Sequence, residues 1–277
     1  MIGGVWGLLL VGLVLASAVM AALWYVQVRI RDASHVDVAW AALIACSAIL
    51  YALVADGDVA HRVLAAVLAS VWGFRLAGYL YMNRIRGKDE DGRYASLRSK
   101  WGEHANRNFF WFFQAQALFA VFFSLPFAFV CLDPGTTISP LAWAGVSVWA
   151  IGNIGTIAAD RQLAVWRADP ANRRRTARTG LWSWSRHPNY FFEWVTWCGI
   201  ALVATTAPNG WVAWIVPAGL LFLLLRVTGI PATERQALRS RPDYAEYRRT
   251  TSAFVPLPPG AGRLSGRLGN LRLRRPG

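Results

Sequence analysis

The segment that carries the most chemistry is Gly180-Leu-Trp-Ser-Trp-Ser-Arg-His-Pro-Asn-Tyr-Phe-Phe-Glu193. Pro188 suits the first position of a helix, because its missing N–H would have no partner there. Arg186 and His187 would then lie at a helix amino terminus, where free N–H groups and the helix dipole attract anions. Four more arginines precede them, namely Arg173, Arg174, Arg175 and Arg178. The pattern predicts a phosphate-binding corner.

Asn189 and Glu193 are four residues apart and would share one helical face just beyond this corner. An amide and a carboxylate in this position are suited to a carboxamide or a ribose, and a buried carboxylate needs such a partner. Alternatively, the arginines only satisfy the preference for basic residues in cytoplasmic loops. That alternative does not explain Asn189 and Glu193, so we favour a binding site.

A polar stripe falls within an apolar run, where an ionisable residue costs at least about 2.5 kcal/mol to insert. Trp72, Arg75 and Tyr79 share a helical face and could line a cavity that holds a phosphate or a carbonyl group. Alternatively, Arg75 forms a structural ion pair with Asp37 while the two aromatic residues only pack. The residues leave both interpretations open.

A second stripe consists of Asn153, Thr156 and Asp160, which lead toward Arg167 and the most basic loop. Asn153 alone is typical of hydrogen bonding between membrane helices. Asp160 beside an arginine cluster instead indicates a ligand.

Two residues near a predicted helix start are candidate proton donors. Asp37 qualifies if burial raises its pKa, and His35 qualifies if a neighbouring group shifts the pKa of its imidazole.

The three cysteines, at 46, 131 and 198, have no paired spacing such as C-x-x-C. Neither a disulfide framework nor a metal site is therefore predicted.

The elements that position these residues are membrane helices. The chain is 55% hydrophobic and 16% charged, whereas soluble domains carry about 25% charged residues. Crossing the hydrocarbon takes about 20 apolar residues in a helix. Seven runs qualify: Gly3–Trp24, Val36–Ala55, Val63–Met82, Phe109–Leu132, Ile138–Ala159, Pro188–Ala207 and Gly210–Leu225. The sequence predicts an all-α integral membrane bundle of seven transmembrane helices.

The basic residues predict the orientation of this bundle. With seven spans, 27 of the 29 lysines and arginines fall on one side, leaving Arg62 opposite and Arg75 within a span. Cytoplasmic loops carry such an excess, so the amino terminus is predicted outside and the carboxyl terminus in the cytoplasm. The basic residues punctuate apolar runs and form no groove-binding helix, so the net charge of +14 indicates membrane lipids rather than nucleic acid as partners.

The chain is predicted to form a single membrane domain over residues 1–256. The tail 257–277 is rich in Gly, Pro, Leu and Arg, and it is predicted to be disordered near anionic headgroups. No G-x-G-x-x-G opens a βαβ unit, and Gly152-x-x-Gly155 falls within a span. A soluble dinucleotide-binding domain is therefore excluded.

Several segments resemble one known family. Arg186-His-Pro-Asn-Tyr…Glu193 and the segment Arg241-Pro-Asp-Tyr-Ala-Glu-Tyr-Arg-Arg-Thr-Thr-Ser-Ala-Phe-Val-Pro256 look like the steroid 5-alpha-reductase superfamily, and more narrowly its bacterial branch DUF1295. The segments 35–40, 72–79 and 159–163 resemble that branch as well.

The resemblance implies a seven-helix reductase of the bacterial inner membrane, with NADPH held by the cytoplasmic loops and carboxyl-terminal helices. Its substrates would be steroid-like or other lipophilic enones from the bilayer. The implied cofactor residues are Arg75, Asp160, Arg167, Arg178, Arg186, His187, Asn189, Tyr190, Glu193, Tyr244 and Tyr247. During hydride transfer to the β-carbon an acid would polarise the carbonyl oxygen of the substrate. The predicted catalytic residues are Asp37, alone or with His35, and Tyr79, and either Asp37 or Tyr79 would be that acid.

The chain departs from the superfamily at the substrate pocket. The steroid reductases share a Gln-Glu pair and a Tyr that bind the substrate ketone, and this chain has neither; Trp72 stands where that Tyr would be.

Two other functions remain as alternatives. An isoprenylcysteine carboxyl methyltransferase-like enzyme would bind S-adenosylmethionine, and a non-catalytic membrane protein would bind a sterol or lipid. The sequence does not indicate an oligomeric state.

Overall fold

The computed structural model describes residues 4–259, and this part of the chain is helical. Its α-helices are α1 (Gly4–Ile30), α2 (His35–Val54), α3 (Val59–Leu80), α4 (Gly92–Trp101), α5 (Ala105–Cys131), α6 (Pro140–Ala168), α7 (Pro188–Ala204), α8 (Ile215–Phe222), α9 (Ile230–Ser240) and α10 (Tyr244–Thr250). The described residues form no β-strand, only an isolated parallel bridge between Ser185 and Ser252. The prediction of an all-α fold is confirmed.

Six helical segments within residues 4–259 are long and apolar enough to cross a membrane. They are Gly4–Ile30, His35–Val54, Val59–Ile85, Gly92–Cys131, Pro140–Ala168 and Gly210–Ser240. The protein is therefore a multi-pass membrane protein. The predicted sixth span corresponds to α7, which has only 17 residues and is not among these six. The predicted count of seven spans is thus not confirmed by helix length and composition.

Local signals explain where the helices begin. Asp58 precedes α3 and accepts a hydrogen bond from the N–H of Ala60 at 2.9 Å. Asp91 precedes α4 and accepts one from the N–H of Arg93 at 3.0 Å. Such side chains satisfy amide donors that have no partner within the helix. Helix α7 begins at Pro188, a position where the missing N–H of proline removes no hydrogen bond within the helix.

Contacts divide the chain into two compact units. The first comprises the residues up to Trp143 together with Ile200–Val216, and the second comprises Ala144–Gly199 together with the residues from Pro217 onward. In the first unit α1, α2, α3 and α5 pack together, and the buried hydroxyl groups of Tyr51 and Ser124 lie 2.9 Å apart. The prediction of one domain over residues 1–256 stays a prediction.

The second unit brings the carboxyl-terminal segment against the chain that precedes α7. The N–H of Arg186 donates to the carbonyl of Ser252 at 2.8 Å, and the N–H of Leu257 donates to the carbonyl of Trp184 at 3.0 Å. The predicted tail begins at residue 257, and the structure describes its first three residues, 257–259. The remainder of that tail, 260–277, lies outside the described residues.

Candidate functional site

An arginine-lined groove of about 330 Å³ lies where α6 ends in the second unit. Its arginines are Arg167, Arg173, Arg174, Arg175 and Arg241. We call this cavity the arginine groove. Trp166 and Asn172 also line it, and Asp169 is the acidic residue in its wall. Guanidinium groups present planar sets of N–H donors that match phosphate oxygens, so the side chains of this groove have the chemistry that a phosphorylated anion would need.

The loop after α6 folds back on itself and thereby gathers these arginines. Asp169 caps a short 3₁₀ turn at Pro170–Asn172 by accepting from the N–H of Ala171 at 2.8 Å. The side-chain amide of Asn172 donates to the carbonyl of Trp166 at 3.0 Å. Arg174 adopts a left-handed backbone conformation with a φ of 65°. The three consecutive arginines 173–175 therefore lie in a tight turn that follows α6.

Arginines of this unit fall into two classes. Within residues 4–259, Arg173, Arg174, Arg175 and Arg241 form no ion pair with a carboxylate, whereas Arg178 and Arg186 do. Arg173, Arg174 and Arg175 are also exposed. Their positive charge is therefore available to a ligand.

The structure brings together Asp160 and Asn189, which the sequence predicts as cofactor residues. The side-chain amide of Asn189 donates to Oδ1 of Asp160 at 3.1 Å, and both side chains are half-buried. Close packing of α6 on α7 makes this contact possible. A Cβ added at Gly152 would lie 2.4 Å from the backbone nitrogen of Thr196, so a larger residue would separate the two helices.

Further polar groups lie on the same two helices. Glu193, one turn after Asn189, accepts a hydrogen bond from Nε1 of Trp197 at 3.2 Å. On α6, Oδ1 of Asn153 and Oγ1 of Thr156 are buried and have no hydrogen-bond partner in the described part of the chain. Leaving a buried polar group unsatisfied costs about 1–3 kcal/mol. A polar ligand that contacts these atoms would remove that cost.

The corner at Arg186 and His187 is already occupied by protein groups. Nε of Arg186 donates to Oε1 of Glu234 on α9 at 2.7 Å, and its Nη1 donates to the carbonyls of Arg248 and Thr251. Nε2 of His187 lies 3.5 Å from the same Glu234 oxygen. The expected anion at this helix terminus is thus an internal carboxylate, because α9 places Glu234 there. Roles of Arg186 and His187 in cofactor binding stay predictions.

The three tyrosines predicted to contact the cofactor also make internal contacts. Tyr247 donates its buried hydroxyl group to the carbonyls of Trp182 and Ser185, and burial raises its pKa. Burial raises the pKa of its neighbour Tyr244 to about 12, so both phenols are neutral near pH 7. The ring of Tyr190 stacks on His187 with centroids 5.3 Å apart.

Arg178 is held by α10 and the residue before it. Its Nη1 donates to Glu246 at 3.1 Å, and its Nη2 donates to the carbonyl of Asp243 at 2.6 Å. The hydroxyl and the N–H of Thr176 donate to the Asp243 carboxylate at 2.7 and 3.0 Å. Burial raises the pKa of Asp243, but these hydrogen bonds and the Arg178 charge outweigh burial and lower it below 3.8. The sequence interpretation assigned no role to Asp243 or Glu234.

The candidate catalytic residues belong to the first unit. Asp37 accepts from the hydroxyl of Tyr94 at 2.7 Å, from Arg93 at 2.7 Å and from Arg84 at 3.1 Å. It therefore anchors the first turn of α4 and the π-helical turn that follows α3. Tyr79 and Arg75 lie on α3, with Tyr79 exposed and Arg75 half-buried.

The alternative proton donor and the buried aromatic of the first stripe also have defined positions. Nδ1 of His35 lies 3.9 Å from the carboxylate of Asp32. Trp72 is fully buried on α3, and its ring packs edge-on against Trp40 with centroids 6.2 Å apart. No group of three or more His, Cys, Asp or Glu residues within 4–259 is placed to hold a metal ion.

Comparison with known proteins gives one family match. A family model described as "Protein of unknown function (DUF1295)" matches residues 23–251. The match covers every candidate cofactor-binding and catalytic residue described above. No curated protein and no solved structure matches the chain.

Proposed function

The chain belongs to the DUF1295 family, and we propose that it is a membrane-embedded reductase that uses NADPH to reduce a conjugated C=C bond in a lipophilic substrate. The observation that carries this proposal is the arginine groove at the end of α6. We also propose that the family is a branch of the steroid 5-alpha-reductase superfamily, on the sequence motifs described above.

The groove supports a dinucleotide that carries an additional phosphate. NADPH has a pyrophosphate and a 2′-phosphate, and each phosphate oxygen accepts charge-assisted hydrogen bonds from guanidinium groups. Arg173, Arg174, Arg175 and Arg241 have no carboxylate partner within residues 4–259 and would supply these donors. S-adenosylmethionine carries no phosphate, so a methyltransferase would have no use for this concentration of positive charge.

The polar groups of α6 and α7 support binding of the remaining parts of the cofactor. Asn189 and Asp160 together present an amide and a carboxylate, which suit the hydroxyl groups of a ribose or a carboxamide. The unsatisfied oxygens of Asn153 and Thr156 provide two further hydrogen-bonding atoms. Residues of the right chemistry for NADPH are therefore present in this unit.

NADPH, when bound, supplies the hydride. Protein residues would stabilise the developing enolate by donating to the carbonyl oxygen of the substrate. The sequence predicts Asp37 and Tyr79 for this role. Asp37 accepts hydrogen bonds from Tyr94, Arg93 and Arg84, whereas the phenol of Tyr79 carries an O–H that can donate, so we assign the donor role to Tyr79. Apolar membrane helices would exclude water and admit the substrate from the bilayer.

Contacts within the second unit support seven spans. Arg186 pairs with Glu234, and Thr176 binds Asp243, so the segments before α7 and after α8 would lie on one membrane face. An even number of crossings would then separate these segments, and because the segment that contains α8 is long and apolar enough to cross, α7 would cross as well. At 1.5 Å per residue, the 17 residues of α7 span about 25 Å, which local thinning of the bilayer accommodates.

The distribution of Lys and Arg gives the proposed orientation. The amino terminus would lie outside. The carboxyl terminus and the arginine groove would lie on the cytoplasmic side of a bacterial inner membrane. There the groove would meet the cellular pool of NADPH.

The test uses the full chain purified in detergent and titrated separately with NADPH, NADH and S-adenosylmethionine. We expect NADPH to bind at least about tenfold more tightly than NADH, because the 2′-phosphate adds a charged contact. Asn189→Ala and Asp160→Asn should weaken NADPH binding, whereas Asn106→Ala, an exposed asparagine in the first unit, should not. Oxidation of NADPH is then measured with lipophilic enones.

Three outcomes separate the candidate functions. Preferential binding of S-adenosylmethionine would overturn the reductase proposal in favour of a methyltransferase. Tight NADPH binding without turnover of any enone would favour a non-catalytic lipid-binding protein. NADPH oxidation that depends on an enone and is reduced in Tyr79→Phe would support the complete proposal.

A further inference from the structure

A groove of about 470 Å³ opens between α2 and α3 in the first unit. Its walls are apolar apart from Arg62 and Ser70, and it contains none of the candidate site residues. It lies at the end of the helix pair that includes the connection between α2 and α3. Its size falls within the range of about 300–1,000 Å³ that is typical of ligand sites.

Helix packing explains why the groove forms where it does. At Gly73 the two helices are in close contact, because an added Cβ would lie 2.8 Å from the carbonyl oxygen of Ala41. Arg62, Ala66 and Ser70 follow at intervals of four residues and therefore share one row on α3. The two small side chains leave space beneath the arginine, over a length of about 12 Å at 1.5 Å per residue.

A second row on α3 forms the outer rim of this groove. It consists of Val59, Val63, Val67 and Val71, again four residues apart, and each of these side chains is at least half exposed. Branched apolar side chains beside a row of small ones make a furrow that runs along the helix. In a membrane such a furrow faces acyl chains.

Arg62 is a cation without a carboxylate partner within residues 4–259. Its Nη1 donates to the carbonyl of Ala55 at 2.6 Å, while its Nε is buried and has no hydrogen-bond partner there. Two acids at this end of the helix pair, Asp58 and Asp133, lie near His61 instead. Asp58 lies 3.8 Å from Nδ1 of His61, and Asp133 lies 3.6 Å from Nε2. Within the described residues the Arg62 guanidinium therefore forms no direct ion pair, and its Nε is left for a ligand at the end of the groove.

We propose that this groove is a binding site for a glycerophospholipid, with one acyl chain in the furrow and the phosphate on Arg62. An arginine at the end of an apolar groove matches the order of groups in such a lipid, where the charged phosphate follows the acyl chain. Arginine also binds phosphate oxygens through more than one donor. The inference does not depend on the proposed reductase activity.

The test measures lipid binding to the delipidated full chain by native mass spectrometry. The probe is 1-palmitoyl-2-oleoyl-phosphatidylglycerol, and the comparison ligand is the diacylglycerol with the same chains and no phosphate. We expect one phospholipid bound per chain and weaker binding of the diacylglycerol. Arg62→Gln should reduce phospholipid affinity by about tenfold, as expected for loss of a charge-assisted hydrogen bond.

Two matched controls and a second variant keep the test decisive. Arg235→Gln removes the same charge from an exposed position on α9 and should not change binding. Ala66→Leu combined with Ser70→Leu fills the furrow and should abolish binding, whereas Val14→Leu adds bulk to an exposed position on α1 and should not. Equal affinity in wild type and the filled variant would overturn the proposal. Equal binding of phospholipid and diacylglycerol would overturn the role of Arg62.

Discussion

Two arginine-rich regions of the second unit differ in how their charge is balanced. Around Glu234, the guanidinium of Arg186 is buried and bound by a carboxylate and backbone carbonyls. In the arginine groove, Arg173, Arg174 and Arg175 are exposed and form no ion pair with a carboxylate of the described chain. The first arrangement holds the carboxyl-terminal segment in place, and the second leaves positive charge for a ligand. Carboxylates within the described chain thus decide whether the charge of an arginine cluster is neutralised internally or stays exposed to solvent.

The largest effect that we expect is a loss of folding stability when the buried ion pair between Arg186 and Glu234 is broken. Glu234→Gln keeps the side-chain shape but removes the negative charge, leaving Arg186 buried without its counter-ion. Breaking a buried pair in this way costs about 3–5 kcal/mol. Thermal unfolding in detergent, followed by tryptophan fluorescence, measures this loss.

The matched control for Glu234 is Glu246, which pairs with Arg178 through a largely exposed carboxylate. Glu246→Gln should cost less than about 1 kcal/mol because solvent screens the pair. Equal losses in the two variants would show that the Arg186 network is no more structural than a surface ion pair.

The next largest effect that we expect is a loss of NADPH affinity when arginines of the arginine groove are removed. Arg173→Ala combined with Arg175→Ala should weaken NADPH binding by about 100-fold, because each charge-assisted hydrogen bond contributes about 1.5–3 kcal/mol. The free energy of unfolding should stay within about 0.5 kcal/mol of wild type, since both side chains are exposed. Isothermal titration and thermal unfolding measure the two quantities on the same preparation.

The control for the groove is Arg239→Ala, which removes one exposed arginine from α9, outside the groove. It should leave NADPH affinity unchanged. A similar loss of affinity in this variant would mean that net charge, rather than the groove, attracts the cofactor.

Much of the fold could be predicted from the sequence because membrane helices need long apolar runs. The observed α2 covers His35–Val54 against a predicted Val36–Ala55, and α7 begins at the predicted Pro188. The prediction was less accurate for α6, which continues from the predicted end at Ala159 to Ala168. Polar residues extend that helix, so hydropathy alone does not locate its end.

Contacts within the candidate site were predictable only where the residues are close along the chain or on facing helices. Asp160 and Asn189 were both predicted as cofactor residues, and they form a hydrogen bond with each other, while their role in binding stays a prediction. The partner of Arg186 was not identified, because Glu234 lies 48 residues later on an amphipathic helix. The spacing of residues in the sequence cannot show which arginines have found a distant carboxylate.

The smallest effect that we expect concerns Asp243. Its ion pair with Arg178 is partly exposed, so Asp243 is intermediate between the buried pair at Glu234 and the exposed arginines of the arginine groove. Its pKa is lowered below 3.8 in the folded chain, so its contribution to stability is present above its unfolded pKa. That contribution is lost as the pH falls through the lower, folded value. Solvent screening limits it to less than about 1 kcal/mol.

Thr176→Val tests this coupling, because it removes the hydroxyl group that donates to the Asp243 carboxylate. The pKa of Asp243 should rise toward its ordinary value, and the loss of stability between about pH 5 and about pH 3 should become smaller than in wild type. Thr179→Val, at an exposed position three residues later, should leave the acid profile unchanged. If Thr176→Val and wild type unfold with the same pH dependence, the hydroxyl group of Thr176 does not lower the pKa of Asp243. The lowered pKa would then depend on the backbone N–H of Thr176 and on the Arg178 charge.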